Sequence, residues 1–240
     1  MEPRPDQSFP IDRPTAGLRD PSRPAVGELL AGEPPESDEY SSSTGTTTIG
    51  LTTDDGVVLA TDRRATLAGR FVTNKNVQKV EQVHPTAALT MVGSVGGAQS
   101  FIRGLRIESN LYETRRGKRM SIRALSTIAG NFARAGPYWM INPILGGVDK
   151  RGTHVFSISP DGGVLGEEYI VTGSGMQLAY GHLEQEYDPS VSMDEAVEIA
   201  AGGILSATER DSGSGNGIFI AQVTDDGVDI EGYDDATELL

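Results

Sequence analysis

The chain has 240 residues, a formal charge of −14 and 37% hydrophobic residues diluted by 30 glycines. That length suits one ordinary domain with a closed core plus an appendage. Cysteine is absent, which excludes disulfides and thiolate chemistry and argues against a structural zinc site. The acidic balance argues against nucleic acid as a partner, because phosphate contacts need basic patches. The 20 basic residues are 16 arginines and 4 lysines, a skew that fits a salt-adapted proteome in which self-repulsion is screened. No apolar run approaches the roughly 20 residues of a membrane span. With no secretory pattern at the N-terminus either, a cytoplasmic location is the default expectation. His84, His154 and His182 form no ligand spacing and read as structural or surface residues; nothing in the pattern implies a metal or an organic cofactor.

Residues 1–45 contain 8 of the 13 prolines and carry −5 of the net charge. Such a segment cannot bury enough surface to offset its ordering entropy, and it reads as a disordered tail, a linker or a pro-segment. Order begins at Thr46. Thr47–Leu51 and Val57–Thr61 are β-branched and apolar, joined by an Asp55-Gly56 hairpin signal. An irregular loop with Gly69 follows, then Phe71-Val72, a short strand around Val77–Val80 and another over Thr86–Val92. Past Gly93-Ser94-Val95-Gly96-Gly97 the period becomes helical over Ala98–Arg115, with Phe101, Ile102, Leu105, Leu111 and Tyr112 on one side, and again over Ser121–Ala135. Ile141–Val148 and His154–Ser159 form a second hairpin, and Tyr169–Val171 leads through Gly173-Ser174-Gly175 into a helix over Met176–Gln185. Ser192 and Glu195 spell a capping box for a helix reaching about Thr208. Gly217–Val223 and Val228–Ile230 close the chain. Strands, two helices, strands, two helices, strands: this order predicts an α+β fold, a four-layer αββα sandwich of two antiparallel sheets between helix pairs.

A threonine hydroxyl is a weak nucleophile unless a base removes its proton. A threonine that begins a chain can use its own α-amino group, whose pKa of about 8 lies close to working pH. That amine exists only after the preceding bond is cut, so such an enzyme is made as an inactive precursor. The junction Thr44-Gly45-Thr46-Thr47 lies where the pro-segment meets the first strand. Gly45, lacking a Cβ, tolerates the strained backbone needed for attack on its own carbonyl. Taken alone, Gly-Thr-Thr fits the start of a threonine-rich strand just as well.

Further blocks change that balance. Thr46-Thr47-Thr48-Ile49-Gly50-Leu51, Ala60-Thr61-Asp62-Arg63-Arg64-Ala65-Thr66, Gln78-Lys79-Val80, Met91-Val92-Gly93-Ser94, Thr172-Gly173-Ser174-Gly175 and Arg210-Asp211-Ser212-Gly213-Ser214-Gly215 occur in order. Together they resemble the β subunits of the archaeal proteasome core particle, members of the N-terminal nucleophile hydrolase superfamily, across residues 46–235. The resemblance implies a threonine endopeptidase with Thr46 as nucleophile, released by autocatalytic cleavage at Gly45–Thr46. It puts a cation, Lys79, beside Thr46, where it lowers the pKa of the hydroxyl and the amine, and Asp62 beside Lys79 to keep it charged and aimed. Without the resemblance, Asp62 and Lys79 read as a surface pair of little worth. The Gly93 N–H falls at the family's oxyanion position, and Ser174, Asp211 and Ser214 fall in a hydrogen-bonded cluster beneath the amine. Read blindly, those last segments are only turns and helix ends.

The specificity pocket implied by the resemblance is lined here by Ala65, Val77, Met91 and Val95, all apolar, so cleavage after hydrophobic residues is expected. Implied partners are further copies in homo-oligomeric seven-membered β rings, two of them stacked between rings of proteasome α subunits. A regulatory unfolding ATPase would deliver unfolded proteins to the internal chamber; no nucleic acid or membrane is involved. The haloarchaeal reading rests on the Thr-Thr-Thr-Ile-Gly-Leu start and the arginine-heavy acidic composition. The long pro-segment keeps an actinobacterial-type β subunit in play. The reading from a different class is a non-catalytic structural ring subunit, which would lack the threonine and lysine.

Overall fold

The computed structural model describes residues 45–67, 69–135 and 141–240; the expected pro-segment, apart from Gly45, lies outside them. Strand β1 (Thr47–Thr52) and strand β2 (Val57–Asp62) form the first hairpin. Its turn closes with Thr53 N–H donating to Gly56 O (2.9 Å) and Gly56 N–H donating to Thr53 Oγ1 (3.0 Å). A small ribbon, β3 (Ala65–Leu67) with β4 (Phe71–Asn74), occupies the loop after it. Next come β5 (Val80–His84), β6 (Ala87–Thr90), helix α1 (Val95–Arg116) and helix α2 (Ile122–Ala135). Strands β7 (Ile144–Asp149), β8 (Gly152–Ile158), β9 (Val164–Glu167) and β10 (Tyr169–Gly173) precede helices α3 (Met176–Glu186) and α4 (Met193–Thr208). Strands β11 (Ile218–Val223) and β12 (Val228–Tyr233) and a short 3-10 helix (Ala236–Leu239) end the chain. None of these helices is long and apolar enough to cross a membrane.

The strands form two antiparallel five-stranded sheets, ordered β10-β1-β2-β11-β12 and β5-β6-β7-β8-β9. Both sheets are covered on both faces, so their central strands read as nearly continuous apolar runs rather than clean alternations. Along β2 the pleat still sorts the side chains. Val57 and Leu59 point between the sheets with Val80, Ile144 and Ala221. Val58 and Ala60 point the other way, joining Ala179, Leu183, Ala200 and Ile204 of α3 and α4. On the second sheet, Leu89 and Leu145 pack against Phe101, Leu105, Ile122 and Leu125 of α1 and α2. Three separate apolar layers therefore bind four structural layers, the expected αββα order.

Several local expectations hold to within a residue or two. Ser192 caps α4, accepting from Glu195 N–H while its own N–H donates to the Glu195 carboxylate. Ser94 caps α1, which starts three residues earlier than the periodicity indicates. Other expectations need correction. The strand expected around Val77–Val80 begins only at Val80, because the preceding residues run alongside the end of β2, with Val77 N–H bonded to Arg63 O at 3.0 Å. Leu111, expected on the buried side of α1, is 38% exposed. Strands β3 and β9 and the terminal 3-10 helix were not legible from the pattern.

Two glycines set the distance between the sheets. A methyl group on Gly146 would lie 2.7 Å from Val57 Cγ1, and one on Gly50 would lie 2.8 Å from Ile144 Cγ2. Replacing Gly146 with valine forces the sheets apart, at a cost of about 1–3 kcal/mol typical of overpacked cores. A lower denaturant midpoint with an unchanged m-value is the expected measurement.

Candidate active site

The topology gathers one cluster of chain ends. In an antiparallel sheet the start of β1 lies beside the ends of its neighbours β2 and β10, and the end of β2 lies beside the start of β11. Thr46 directly precedes β1, Asp62 ends β2, Ser174 follows β10, and Asp211 and Ser214 occupy the loop leading into β11. The second sheet contributes Lys79, immediately before β5, and Gly93, just after β6. Gly93 has φ +93° and bridges to Ile141.

Thr46, Asp62 and Lys79 are all buried. Lys79 Nζ donates to Thr46 Oγ1 and to Asp62 Oδ1, each at 2.7 Å. Asp62 Oδ1 also accepts Thr47 N–H (3.1 Å), and its Oδ2 accepts the N–H groups of Arg64 and Gly215, both at 2.9 Å. Burial lowers the Lys79 ammonium from its usual range, with the Asp62 charge opposing the shift. Burial likewise raises the Asp62 carboxyl, opposed by Lys79 and by the backbone N–H groups of Gly215 and Thr47. This is no surface pair: both side chains are at least 96% shielded, a setting in which charges persist only when thoroughly hydrogen-bonded.

A second arm reaches the Thr46 nitrogen. In this structure Thr46 is joined to Gly45, so that nitrogen is an amide, and its N–H donates to Ser174 Oγ at 3.1 Å. Ser174 Oγ and Ser214 Oγ both donate to Asp211 Oδ2 at 2.6 Å. The three residues expected beneath the nitrogen therefore do form one network. Gly45 is held from above by its N–H on Thr66 Oγ1 (3.1 Å). It also lies against Gly213 so closely that a methyl group on either residue would overlap the other's Cα.

The four residues expected to form a specificity pocket line one cavity together with Lys79, Gly93 and Ala98. Its volume is about 20 Å³, room for roughly one water molecule. A larger cleft of about 720 Å³, lined in part by Arg123, His154, Tyr169 and Glu184, contains none of these residues. It contains neither Lys79 nor Gly93, whereas the smaller cavity is lined by both.

Sequence reasoning missed three participants. Arg64, given no role of its own within the Ala60–Thr66 block, donates through Nε to Asn216 Oδ1 and through Nη1 to Ser212 O, both at 3.0 Å. That ties the Asp211–Gly215 loop to β2. Thr66 holds Gly45. Thr47, read as a plain strand residue, places its Oγ1 2.8 Å from Ser214 Oγ. Alanine at Asp62 would leave Lys79 buried without its counterion and three backbone N–H groups without an acceptor. The expected result is a loss of about 3–5 kcal/mol, the usual cost of breaking a buried pair from one side, read from chemical denaturation.

A family model described as proteasome subunit matches residues 42–223. Proteasome subunit beta 1 of Haloterrigena turkmenica is 63% identical over 221 residues, 92% of this chain and 91% of that one. Proteasome subunit beta 1 of Haloarcula marismortui is 61% identical over 234 residues, covering 98% and 97% of the two chains. Proteasome subunit beta of Natronomonas pharaonis is 58% identical over 238 residues, 99% of each. These relatives are haloarchaeal, in keeping with the acidic, arginine-rich composition.

Proposed function

The chain belongs to the proteasome subunit family as a β subunit, and from that membership we propose that it is a threonine endopeptidase made as a self-processing precursor. The observation that carries this reading is the contact of Lys79 Nζ with Thr46 Oγ1 inside a buried site. A structural subunit has no use for a lysine buried against a threonine hydroxyl. As a proteasome β subunit, the chain functions within a core particle built with other subunits. Seven-membered β rings, flanking α rings and a feeding ATPase extend the proposal by resemblance.

In the precursor, the Thr46 hydroxyl has no amine of its own to serve it. Burial lowers the Lys79 ammonium while Asp62 opposes the shift, so the neutral amine that takes the Oγ1 proton is easier to reach than in an exposed lysine. Oγ1 then bonds to the Gly45 carbonyl carbon, the Gly45–Thr46 C–N bond breaks, and the leaving nitrogen takes the proton from Lys79. The resulting ester is hydrolysed by water, freeing Gly45 as a carboxylate and Thr46 as an N-terminal amine. That amine then serves as base for substrate peptides, linked through Ser174 to Asp211 and Ser214. The Gly93 N–H would stabilise the tetrahedral oxyanion, a contribution of about 3 kcal/mol for one such donor.

The apolar cavity beside Lys79 supports cleavage after hydrophobic residues. At about 20 Å³ it must widen to admit one, and Val95, 39% exposed at its rim, is the wall residue freest to move. Unfolded chains confined in an internal chamber are the substrates this reading implies.

The intact mass of the assembled protein should equal that of residues 46–240. Thr46→Ala should assemble, keep residues 1–45 and leave fluorogenic peptides with Leu or Tyr before the scissile bond uncut; activity in that variant would exclude Thr46 as nucleophile. A subtler outcome concerns Gly213. Its backbone lies outside the left-handed region, so Gly213→Ala acts through overlap with Gly45 and through a tight 3.0 Å approach to Ser174 Oγ. Self-processing should slow by at least about tenfold, the effect of roughly 1.4 kcal/mol on a barrier. The chains that do mature have lost Gly45, so their peptide hydrolysis should fall less than self-processing does, the remaining loss reporting the contact with Ser174 Oγ.

A further inference from the structure

We propose that Thr47 is a positioning residue for this reaction: its hydroxyl fixes Ser214 and, through Asp211 and Ser174, orients the Thr46 nitrogen. The inference rests on the threonine-protease reading above and adds a residue that reading does not need. Directions of donation carry it. The Asp211 carboxylate can only accept, and both Ser174 Oγ and Ser214 Oγ give their protons to the same atom, Oδ2. With its proton committed, Ser214 Oγ can only accept along its 2.8 Å contact with Thr47 Oγ1, so Thr47 is the donor. The hydrogen bonds therefore run inward from both sides: Thr47 to Ser214 to Asp211, and Thr46 N to Ser174 to Asp211.

Two further features mark the hydroxyl as used. Thr47 is buried, and a buried hydroxyl destabilises a core unless bonded, so valine would suit this strand position better. Space is also reserved for it, since a methyl group on Gly175 would overlap Thr47 Oγ1. Meanwhile the Thr47 N–H donates to Asp62. One residue thus joins the arm that serves the hydroxyl, Asp62 and Lys79, to the arm that holds the nitrogen. In the mature enzyme the second arm acts on a free amine that can rotate, which makes its alignment consequential for turnover.

The test is steady-state hydrolysis of an apolar fluorogenic peptide by assembled, processed enzyme. Thr47→Val keeps the shape and the backbone bond to Asp62 and removes only the hydroxyl. Its kcat should fall about tenfold, the worth of one buried hydrogen bond, with KM within about twofold. Thr47→Ser should recover most of that loss. In a double-mutant cycle, adding Thr47→Val to Ser214→Ala should cost little more than Ser214→Ala alone, because the effect passes through Ser214. Undiminished kcat in Thr47→Val, failure of Thr47→Ser to recover activity, or additive losses in the cycle would overturn the proposal. Should Thr47→Val not assemble, the pair Thr47→Ala and Thr47→Ser gives the same reading. Thr46→Ala separates the two levels: if it is inactive while Thr47→Val is fully active, only the positioning role fails.

Discussion

A carboxylate and an ammonium, Asp62 and Lys79, lie side by side where water is excluded, and the surrounding architecture follows from what that requires. Removing each charge from water costs several kcal/mol, returned only when the pair is close and every remaining acceptor site is filled. Asp62 meets the condition by accepting from four nitrogens, those of Thr47, Arg64, Lys79 and Gly215. Those nitrogens belong to the start of β1, the exit of β2, the approach to β5 and the loop before β11. One buried carboxylate therefore fixes the relative positions of four chain segments, and Thr46 is held at their meeting point.

The same burial gives the lysine its chemical character. An exposed ammonium would stay protonated at neutral pH and could only donate. At this depth desolvation shifts the balance toward the free amine, while Asp62 limits how far the shift goes. A single pair thus both ties the chain segments together and sets the character of the group that touches Thr46 Oγ1. The second arm, from the Thr46 nitrogen through Ser174 to Asp211, is built from hydroxyls and one carboxylate, with Ser174 and Ser214 both donating to Asp211 Oδ2. It can orient a nitrogen without competing for the hydroxyl proton.

The layered fold was legible in the sequence because apolar period and turn chemistry agree along most of the chain: the Asp55-Gly56 hairpin, the Ser192–Glu195 box, and the change to a helical period after Gly97. The site was legible differently. Asp62, Lys79, Ser174, Asp211 and Ser214 stand in unremarkable turns and strand ends, and only their ordered blocks, taken with a resemblance, mark them out. What remained hidden depends on which loop faces which strand. Thr47 is indistinguishable from Thr48 by pattern, yet Thr47 Oγ1 meets Ser214 while Thr48 Oγ1 meets Thr172, 2.8 Å away. The strand expected at Val77–Val80 failed for a related reason. The β-branched residues are there, but Val77 N–H bonds to Arg63 O, and the backbone joins the second sheet only at Lys79, whose carbonyl accepts Met91 N–H.

The division of labour between the sheets has a mechanical consequence. Thr46, Asp62 and Ser174 ride on the first sheet, whereas Lys79, Gly93 and much of the apolar cavity ride on the second. The gap between the sheets therefore sets the separation of Thr46 Oγ1 from Lys79 Nζ, because the two residues ride on different sheets. The glycines at 50 and 146 lie in that gap, among side chains that take no part in the chemistry. Packing inside the sandwich thus acts as the spacer of the Lys79–Thr46 contact, and a methyl group added in the core can alter that contact without touching either residue.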